Sequence, residues 1–477
     1  MNIISQFNQF VLESFNKFLK NHFTNSNFWY KSSSISNYIN FMTDLDSFNY
    51  NFITNVIKLY FEYIDDVFFN SSYRRNFCES KGFYKRTILT LFGEITYKRR
   101  YYYDKKYNDR FFFTDLFLNL PKRKYFDPFV CSEICNESSS FSYSKAGRIV
   151  SDKIGKRINN KLKISRASSR NIVINFNIID DTKQERELKR IKRLFIMLDE
   201  KFVPSQFNDG INHMIKGAVL FENRELAYKY KKKQNSKNRI KLNGTHTCAS
   251  IDNELLQDVV DYIYYNYDVD CLEELNFMGD CALWIKNFPK SNWLKFDRDI
   301  DVNFSMDGFH FSQALGNLTT SSNMDVYDAL YEYVLLNDKE GFTDMCNDFL
   351  ELYPERNDVI ESKRDYILNN WNERQFYQNH PYLKCSMESH ISHIFADLFT
   401  SRPKAYSKKG LRQLLKLRLL KVNNIDIKHK YFSSLEYTPS PSYQNNSITI
   451  NNNYMNDYYK KKINKIIKPK DNFINFI

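Results

Sequence analysis

The chain is poor in the residues that build disulfide-stapled or zinc-bound folds. Its 477 residues include only 12 glycines, 10 prolines and eight cysteines, and the cysteines are scattered without a CxxC pair. Cys131 and Cys135 are separated by three residues, but no second Cys/His pair stands nearby to complete a zinc site. These absences exclude a disulfide framework and favour a reduced, cytoplasmic setting.

Long apolar runs are also missing. No stretch approaches the roughly 20 residues that a bilayer-spanning helix needs. The first residues, MNIISQFNQFVLESF, carry a polar residue every few positions. We therefore predict neither a signal peptide nor a transmembrane helix, and no membrane partner.

The net charge of +13 is distributed in blocks along the chain. Residues 81–170 hold 21 Lys/Arg against 8 Asp/Glu, and residues 403–477 hold 15 against 4. Residues 171–402, in contrast, hold 27 against 37. Basic flanks suit a phosphate backbone and an acidic centre suits divalent cations, although basic stretches can also simply solvate a surface.

Apolar periodicity and composition divide the chain into four regions. Residues 1–80 are predicted to be helical, and residues 81–178 to form a basic hairpin followed by a helix-turn-helix module. Residues 190–422 alternate strand and helix patterns, which predicts an α/β core. Residues 430–477 are rich in Asn, Ser, Tyr and Lys, and we expect this basic tail to be disordered or loosely attached.

The segment KRTILTLFGEITYKRRYYY, residues 85–103, has the pattern of a β-hairpin. Apolar residues alternate on both sides of Gly93, and basic residues lie at the two outer ends. A DNA phosphate backbone is the expected partner of these cations, while a basic edge that keeps the sheet soluble is an equally open alternative. The cations are Lys85, Arg86, Lys98, Arg99 and Arg100.

Two polar helices with a short break follow, over residues 142–158 and 165–177. Ser165 is the predicted N-cap of the second helix. In a helix-turn-helix the start of the second helix meets base edges, which assigns base contacts to a set of four side chains. They are Arg166, Ser169, Arg170 and Asn171. Two ordinary packed helices would give a similar pattern.

Three carboxylates of the acidic middle region occupy positions suited to a metal site. The predicted strand RLFIML ends at Asp199, and the predicted strand ELNFMGD ends in Asp280. Glu388 begins the predicted helix 387–399, and the long stretch between, residues 308–374, is predicted to be largely helical. Neighbouring strands and a helix packed on them can bring such residues together. Alternatively, each Asp is a turn former or a helix cap.

A site of three carboxylates favours Mg²⁺ or Mn²⁺ over zinc. Two such ions about 3.5–4 Å apart would activate the attacking oxygen and stabilise the leaving oxygen in phosphodiester cleavage and strand transfer.

Residues 85–422 resemble the ISLre-type insertion-sequence transposases, which are similar to the Mutator-like DDE enzymes. The resemblance runs through SYSKAGRIVSDKIG, MLDEKFV, MGDCALWIK, MDGFHFSQAL and MESHISHIFADLFTSRPKAYSKKGLRQLLKLR, after the hairpin segment. It implies an RNase-H-like core that is interrupted by a helical insertion, about residues 308–380, before the last carboxylate. It also implies a homo-oligomer bound to double-stranded DNA, namely the terminal inverted repeats and a target.

The same resemblance assigns catalysis and metal binding to Asp199, Asp280 and Glu388. It places His310, with Asp307, near the scissile phosphate or the metal, although His310 can equally be a histidine bonded within the core. Local packing is the expected role of His393, and core packing that of Trp284, with base stacking as the alternative.

Three residues depart from the family pattern. Glu200, Leu398 and Tyr406 stand where the family usually carries Gly, Arg and Trp. Because of these departures, the alternative that the chain is a catalytically decayed transposase remnant, or a DNA-binding regulator without cleavage activity, stays open. A nuclease that cuts without joining is the other rival.

Overall fold

The computed structural model shows a mixed α/β protein with two compact units. One unit comprises Met1–Ile179 and Asp426–Ile477, and the other Asp180–Ile425. The structure describes residues 3–23, 35–158, 162–178, 187–207, 212–228, 239–291, 300–319, 324–380, 382–401 and 404–436. The predicted tail beyond residue 436 therefore lies outside the described residues. Within them, no helix is long and apolar enough to cross a membrane.

The first unit contains a three-stranded antiparallel sheet and helices on its flanks. The predicted hairpin is confirmed: β1 and β2 pair from Cys78↔Asp104 to Thr90↔Gly93, and Gly93 has a φ of 122° after the turn. That conformation favours glycine over any residue with a Cβ atom. The elements are α1 (Ile3–Phe23), α2 (Ile35–Phe69), α3 (Ser72–Phe77), β1 (Cys78–Thr90), β2 (Gly93–Asp104), β3 (Asp109–Phe112), α4 (Phe113–Phe117), α5 (Pro128–Ser138), α6 (Tyr143–Ile158), α7 (Arg166–Ile174) and α18 (Ile427–Glu436).

Helix α2 packs along β2 and provides acceptors for its backbone. The amides of Lys98 and Arg100 donate to the carboxylates of Glu62 and Asp65 at 3.0 and 3.2 Å. These bonds satisfy N–H groups of β2, which pairs with β3 only from residue 101 onward. The long helix therefore fixes the position of the hairpin.

Helices α5, α6 and α7 pack on one another, and α18 packs on α5. The predicted N-cap is confirmed, because the Ser165 side chain accepts from the amide of Ser168 at 3.0 Å. The prediction that the tail begins at residue 430 is wrong, since residues 430–436 belong to α18. Aromatic contacts hold them there: the rings of Phe432 and Phe129 lie 4.8 Å apart, and those of Tyr431 and Phe176 5.1 Å apart.

The second unit is built on a five-stranded mixed sheet with the order β10-β9-β4-β5-β8. Strand β5 is antiparallel to both of its neighbours, β4 and β8. Strand β9 is parallel to β4, and β10 is parallel to β9. Its elements are β4 (Arg193–Val203), β5 (His213–Phe221), β6 (Asn223–Tyr228), β7 (Arg239–Asn243), β8 (His246–Ser250), α8 (Leu255–Asn266), β9 (Glu274–Gly279), α9 (Leu283–Asn287), β10 (Asp301–Met306), α10 (Gly308–Leu318), α11 (Met324–Leu335), α12 (Lys339–Leu352), α13 (Asn357–Asn369), α14 (Trp371–Asn379), α15 (Met387–Ile391), a π-helical segment (Ser392–Ala396), α16 (Asp397–Phe399) and α17 (Lys408–Val422).

Strand β4 is the centre of this sheet and is buried on both faces. Leu194, Ile196 and Leu198 pack with the apolar side chains of α8 in one core cluster. On the other face, the ring of Phe195 stacks on that of Phe221 at 5.0 Å, and Met197 contacts Ser386 before α15. The helical prediction for residues 308–374 is also confirmed by α10 to α14.

The prediction that β4 ends at Asp199 is wrong, because the strand continues to Val203. Strand β5 pairs with β4 along its whole length, whereas the pairing with β9 stops at Met197↔Met278. The apolar run in the sequence therefore corresponds only to the part of β4 that pairs with both β5 and β9. Asp199 lies just beyond the point where the parallel neighbour ends.

Candidate functional site

Asp199 and Asp280 lie side by side just beyond the point where the parallel pairing of β4 with β9 ends. Each follows the last paired residues, Met197 and Met278, by two positions. Gly279 allows this close approach, because a Cβ atom there would come within 3.0 Å of the carbonyl oxygen of Leu198 and 2.7 Å of the Ile285 side chain. The structure thus brings together the two aspartates that the sequence proposed as a pair.

Helix α15 carries Glu388 onto the same region of the sheet. The helix contacts β4 and β5. Gly217, which pairs with Asp199 across the sheet, leaves room for it: a Cβ atom there would lie 2.9 Å from the Phe395 ring and 3.4 Å from Met387. Sequence inspection missed this glycine, which stands inside an apolar strand pattern where a close approach is a known reason for glycine.

Asp199 is the buried member of the group, at 6% exposure. Burial raises its pKa to about 7, and the nearby charges of Asp280 and Glu388 act in the same direction. The Glu200 amide, which donates to its Oδ1 at 2.7 Å, and His310 lower the pKa in opposition. Asp199, Asp280, Glu388 and His310 therefore share one electrostatic environment, in which negative charge is in excess.

The other members of the group are more accessible than Asp199. Asp280 and His310 are half-buried and Glu388 is exposed. The carboxylate of Asp280 accepts from the amide of Ala282 at 3.0 Å, ahead of α9. A buried carboxylate at the floor and an exposed one at the rim make a site that a large substrate can approach.

Asp307 forms hydrogen bonds both to His310 and to the end of β9. Its carboxylate contacts His310 Nδ1 at 2.8 Å and accepts from the Phe309 amide at 3.1 Å, and its own amide donates to the Gly279 carbonyl at 2.7 Å. The bond to Asp307 raises the pKa of His310, and the charges of Asp280 and Asp199 add to this effect. The histidine is therefore held beside the carboxylates in a setting that favours its cationic form.

The donor set fits a divalent cation such as Mg²⁺ or Mn²⁺ in chemistry and in charge, because oxygen ligands and uncompensated carboxylates attract such an ion. Among the described residues, however, no three His, Cys, Asp or Glu side chains are gathered closely enough to hold a metal ion. Asp280 and Glu388, the more accessible carboxylates, are therefore not drawn together with Asp199 into a closed ligand set.

The raised pKa of Asp199 gives a testable pH dependence of stability. Folding favours the neutral acid, so the stabilising contribution is complete below about pH 4 and is lost as the pH rises to about 7. In EDTA, the unfolding temperature of the wild type should fall across this window relative to that of Asp199→Asn, which cannot ionise there. Each pKa unit corresponds to about 1.4 kcal/mol. Parallel curves for both proteins would show that Asp199 titrates normally.

The five predicted hairpin cations divide into two groups in the structure. Arg86 and Arg99 form ion pairs with buried Asp115, and Arg100 pairs with Asp65 and Asp66 at 2.7 and 2.6 Å. These three guanidinium groups are occupied within the fold. Lys85 and Lys98 are exposed and lie directly opposite each other. Like charges so placed repel, which favours an anion between them and gives the lysines the larger share of the predicted DNA contact.

The four predicted base-contacting residues also divide. Arg166, Arg170 and Asn171 are exposed at the start of α7. Ser169 is fully buried, because α6 crosses it at Gly147, where a Cβ atom would lie 2.5 Å from the serine Oγ. Its hydroxyl donates to the carbonyl of Ser165 at 3.2 Å. Ser169 therefore packs two helices together, and the exposed residues keep the predicted contact with DNA.

The residues that depart from the resemblance lie around the site, not in it. Glu200 accepts a hydrogen bond from the indole of Trp284, which packs partly buried against the core cluster next to α8. Leu398 is buried. The backbone of Tyr406 forms hydrogen bonds with the backbones of Pro204 and Gln206, each at 3.0 Å.

Two further histidines lie on the helical segment that carries Glu388. His390 is half-buried, which lowers its pKa, and His393 is exposed.

Comparison with known proteins gives one family and several relatives. The model of the uncharacterised protein family UPF0236 matches residues 45–434. The chain is similar to UPF0236 proteins of Caldanaerobacter subterraneus subsp. tengcongensis. One is 25% identical over 76% of this chain and 72% of its own length, and its name joins eleven designations, from TTE0033 to TTE2212. Another, TTE0402, is 24% identical over 76% of this chain and 69% of its own length.

Proposed function

The chain belongs to the uncharacterised protein family UPF0236, and we propose that it is the transposase of a bacterial insertion sequence, a metal-dependent enzyme that cuts and joins DNA. The observation that carries this proposal is the convergence of Asp199, Asp280 and Glu388 from two strands and a helix. Carboxylates at such a point suit metal-assisted phosphodiester chemistry.

The sheet topology supports an RNase-H-like core for this enzyme. Strands β4, β5 and β8 form an antiparallel meander, and β9 and β10 extend the sheet parallel to β4 on its other side. That is the sheet expected of such a core. Helices α10 to α14 stand between β10 and the helix of Glu388, at the position of the helical insertion that the ISLre resemblance implies.

Each side chain has a chemical role in the proposed reaction. When bound, Mg²⁺ would activate the attacking oxygen and stabilise the leaving one. Asp199, once deprotonated, would provide the buried anionic floor, and Asp280 and Glu388 would complete the set of residues that hold the ion. His310, oriented by Asp307, donates a hydrogen bond to an oxygen of the reacting phosphate. Water first attacks the phosphorus atom and releases a 3′-hydroxyl. That hydroxyl then attacks a phosphodiester of the target, which releases a second hydroxyl.

The names of the relatives are consistent with a mobile element. One relative carries eleven designations under a single name and another carries four. A gene present in several copies would be named in this way, and multiplication within one genome is the outcome of transposition. We extend this inference to the present chain, with terminal inverted repeats as its DNA partner and a homo-oligomer as the form that holds two DNA ends.

A plasmid assay tests the proposal. The supercoiled plasmid carries the gene with its own flanking DNA, and the full chain is added with Mg²⁺, Mn²⁺ or EDTA. We expect metal-dependent nicks at the ends of the element, followed by joining of those ends to target DNA. Cleavage without joining would instead indicate a nuclease. DNA binding without cleavage would indicate a decayed copy or a regulator.

The basic hairpin gives a prediction for the binding step. The double variant Lys85→Ala/Lys98→Ala should bind DNA more weakly, and its plot of log affinity against log salt should be less steep by roughly two, because each phosphate contact contributes about 0.9 to the slope. The measurement is fluorescence anisotropy with labelled duplex between about 50 and 200 mM salt.

The matched control for this variant is Lys81→Ala/Lys105→Ala. These lysines belong to the same hairpin region, but both are paired with Glu79, at 2.6 and 2.7 Å. The two double variants remove the same charge. Equal salt slopes for both would mean that Lys85 and Lys98 make no specific phosphate contact.

A further inference from the structure

A cavity of about 480 Å³ opens where β4 runs past Asp199. Of the described residues that line it, two are lysines and none is a carboxylate, although the surrounding region of the sequence is acidic overall. The cavity therefore offers positive charge, an amide and hydroxyl groups to an anionic ligand. Its lining residues are Lys201, Phe202, Pro204, Asn212, Thr400, Ser401 and Lys404.

Lys201 lies on the same face of the sheet as Asp199. The two residues are two positions apart in β4, and successive side chains of a strand point to opposite faces. The register with β5 is unbroken from Phe195 to Val203, so no bulge reverses this alternation. Two residues of a strand span about 6.6 Å. A nucleic-acid strand with one phosphate at the carboxylates would therefore place the next phosphate near Lys201.

The cavity is tied to the elements that carry the carboxylates. One wall is the end of β4, and the other is formed by Thr400 and Ser401, which follow the helical segment that begins at Met387 and carries Glu388. Lys404 also lines the cavity and donates to the carbonyl of Leu398 at 2.7 Å. A ligand in the cavity is thus held at a fixed place relative to Asp199 and Glu388.

A second cavity in the same unit is also lined by lysines, but one of them is paired with a carboxylate. It has a volume of about 230 Å³ and is lined by Lys286, Lys290 and Glu373 among others. There the ammonium of Lys286 is paired with the carboxylate of Glu373 at 2.7 Å. The second cavity provides a control lysine, Lys290, which is exposed and lies outside the candidate site.

We propose that the cavity beside Lys201 holds the nucleotide that adjoins the reacting phosphodiester, with the ammonium of Lys201 bound to its phosphate. The proposal rests on the proposed DNA-processing function and gives the substrate strand a direction, along β4 from Asp199 toward Val203. The ligand class is a phosphodiester-linked strand, not a free phosphate ion.

Lysine acetylation of the full chain tests the location of the strand without requiring cleavage. In EDTA, a single-stranded oligothymidylate of ten nucleotides should slow acetylation of Lys201 about tenfold and leave that of Lys290 unchanged, as read by mass spectrometry. Equal protection by inorganic phosphate alone would reduce the cavity to an anion site and overturn the proposal. Absence of protection by the oligonucleotide would overturn it as well.

Cleavage kinetics separate this proposal from the proposed function. Lys201→Ala should raise the half-saturating DNA concentration about tenfold with a smaller effect on the maximal rate, and Lys201→Arg should restore most of the affinity. Lys290→Ala should match the wild type. Nicking with unchanged half-saturation in Lys201→Ala would overturn the cavity assignment and leave the enzyme assignment standing. If the oligonucleotide protects Lys201 but the wild type never nicks DNA, the enzyme assignment is overturned and the binding of a nucleic-acid strand at the cavity stands.

Discussion

Asp280→Asn is expected to abolish metal-dependent DNA nicking while leaving DNA binding intact. The amide is nearly isosteric with the carboxylate but lacks the negative charge that a divalent cation requires. Loss of this ligand removes several kcal/mol of transition-state stabilisation, which corresponds to a rate at least about a hundredfold lower. The measurement is nicking of a supercoiled plasmid that carries the flanking DNA, with Mg²⁺ or Mn²⁺, for wild type and variant side by side.

The structure explains why this variant should fold. Asp280 accepts from the amide of Ala282 at 3.0 Å, and the side-chain oxygen of asparagine can accept the same bond. Asp261→Asn, at an exposed carboxylate of α8 that accepts from Gln257 at 2.7 Å, is the matched control and should nick normally. Equal nicking by Asp280→Asn and wild type would contradict the catalytic assignment. It would leave Asp280 with a local role only, as the acceptor for the Ala282 amide ahead of α9.

Asp115→Ala should destabilise the hairpin of the first unit by about 3–5 kcal/mol. The carboxylate is buried between Arg86, at 2.7 Å, and Arg99, and it also accepts from the hydroxyl of Tyr97 at 3.1 Å. Removal of this carboxylate leaves desolvated Arg86 without its ion-pair partner and leaves desolvated Arg99 with only the charge of Asp65 nearby. Hydrogen exchange of the β1 and β2 amides, followed by mass spectrometry, measures the free energy of local opening.

Glu79→Ala is the control for this effect. Glu79 forms ion pairs with Lys81 and Lys105 in the same sheet, but all three side chains are solvent-accessible, so the loss should stay below about 1 kcal/mol. Burial, and not the number of ion pairs, is then the difference between the two variants. Similar losses in both would mean that Asp115 is screened by solvent and that the arginines remain free to face a ligand.

Much of the fold could be predicted from the sequence where a local pattern decides the structure. Alternation around Gly93 predicted the hairpin, Ser165 predicted a helix start, and the apolar run before Asp280 predicted β9. Strand β10 was not predicted, because Asp301–Met306 lacks a continuous apolar run and only its last two residues are buried. Such a strand is specified by its partner β9 and not by its own composition.

The sequence named candidate residues for the site but could not give the burial of each. The sequence named Asp199, Asp280, Glu388 and His310, and the structure brings these four groups into one electrostatic environment. The difference between buried Asp199 and exposed Glu388 depends on how α15 lies on the sheet, which long-range packing decides. The shared face of Lys201 and Asp199 was not predicted, because β4 was expected to end at Asp199 and in fact continues to Val203.

The charged residues of the hairpin show that a basic residue in the sequence does not by itself indicate a ligand contact. Arg86 and Arg99 looked equivalent to Lys85 and Lys98 in the sequence, yet the arginines are paired with Asp115 and the lysines are exposed. Asp115 lies 16 residues after Arg99, and nothing local indicates the pairing. A guanidinium group also tolerates burial in an ion pair better than an ammonium group, because it is more weakly hydrated.

The contact of α18 with α5 has a consequence for how the protein is made. Residues 427–436 contact Phe129 and bury Phe176, in a unit whose N-terminal part ends, among the described residues, at position 178. A ribosome that adds about 5–20 residues per second needs roughly 12–50 s to translate the intervening 248 residues. Over that interval the first unit emerges with part of its aromatic surface uncovered. A chain terminated early, by a frameshift or a stop codon, keeps that surface exposed permanently and becomes a substrate for proteolysis or aggregation.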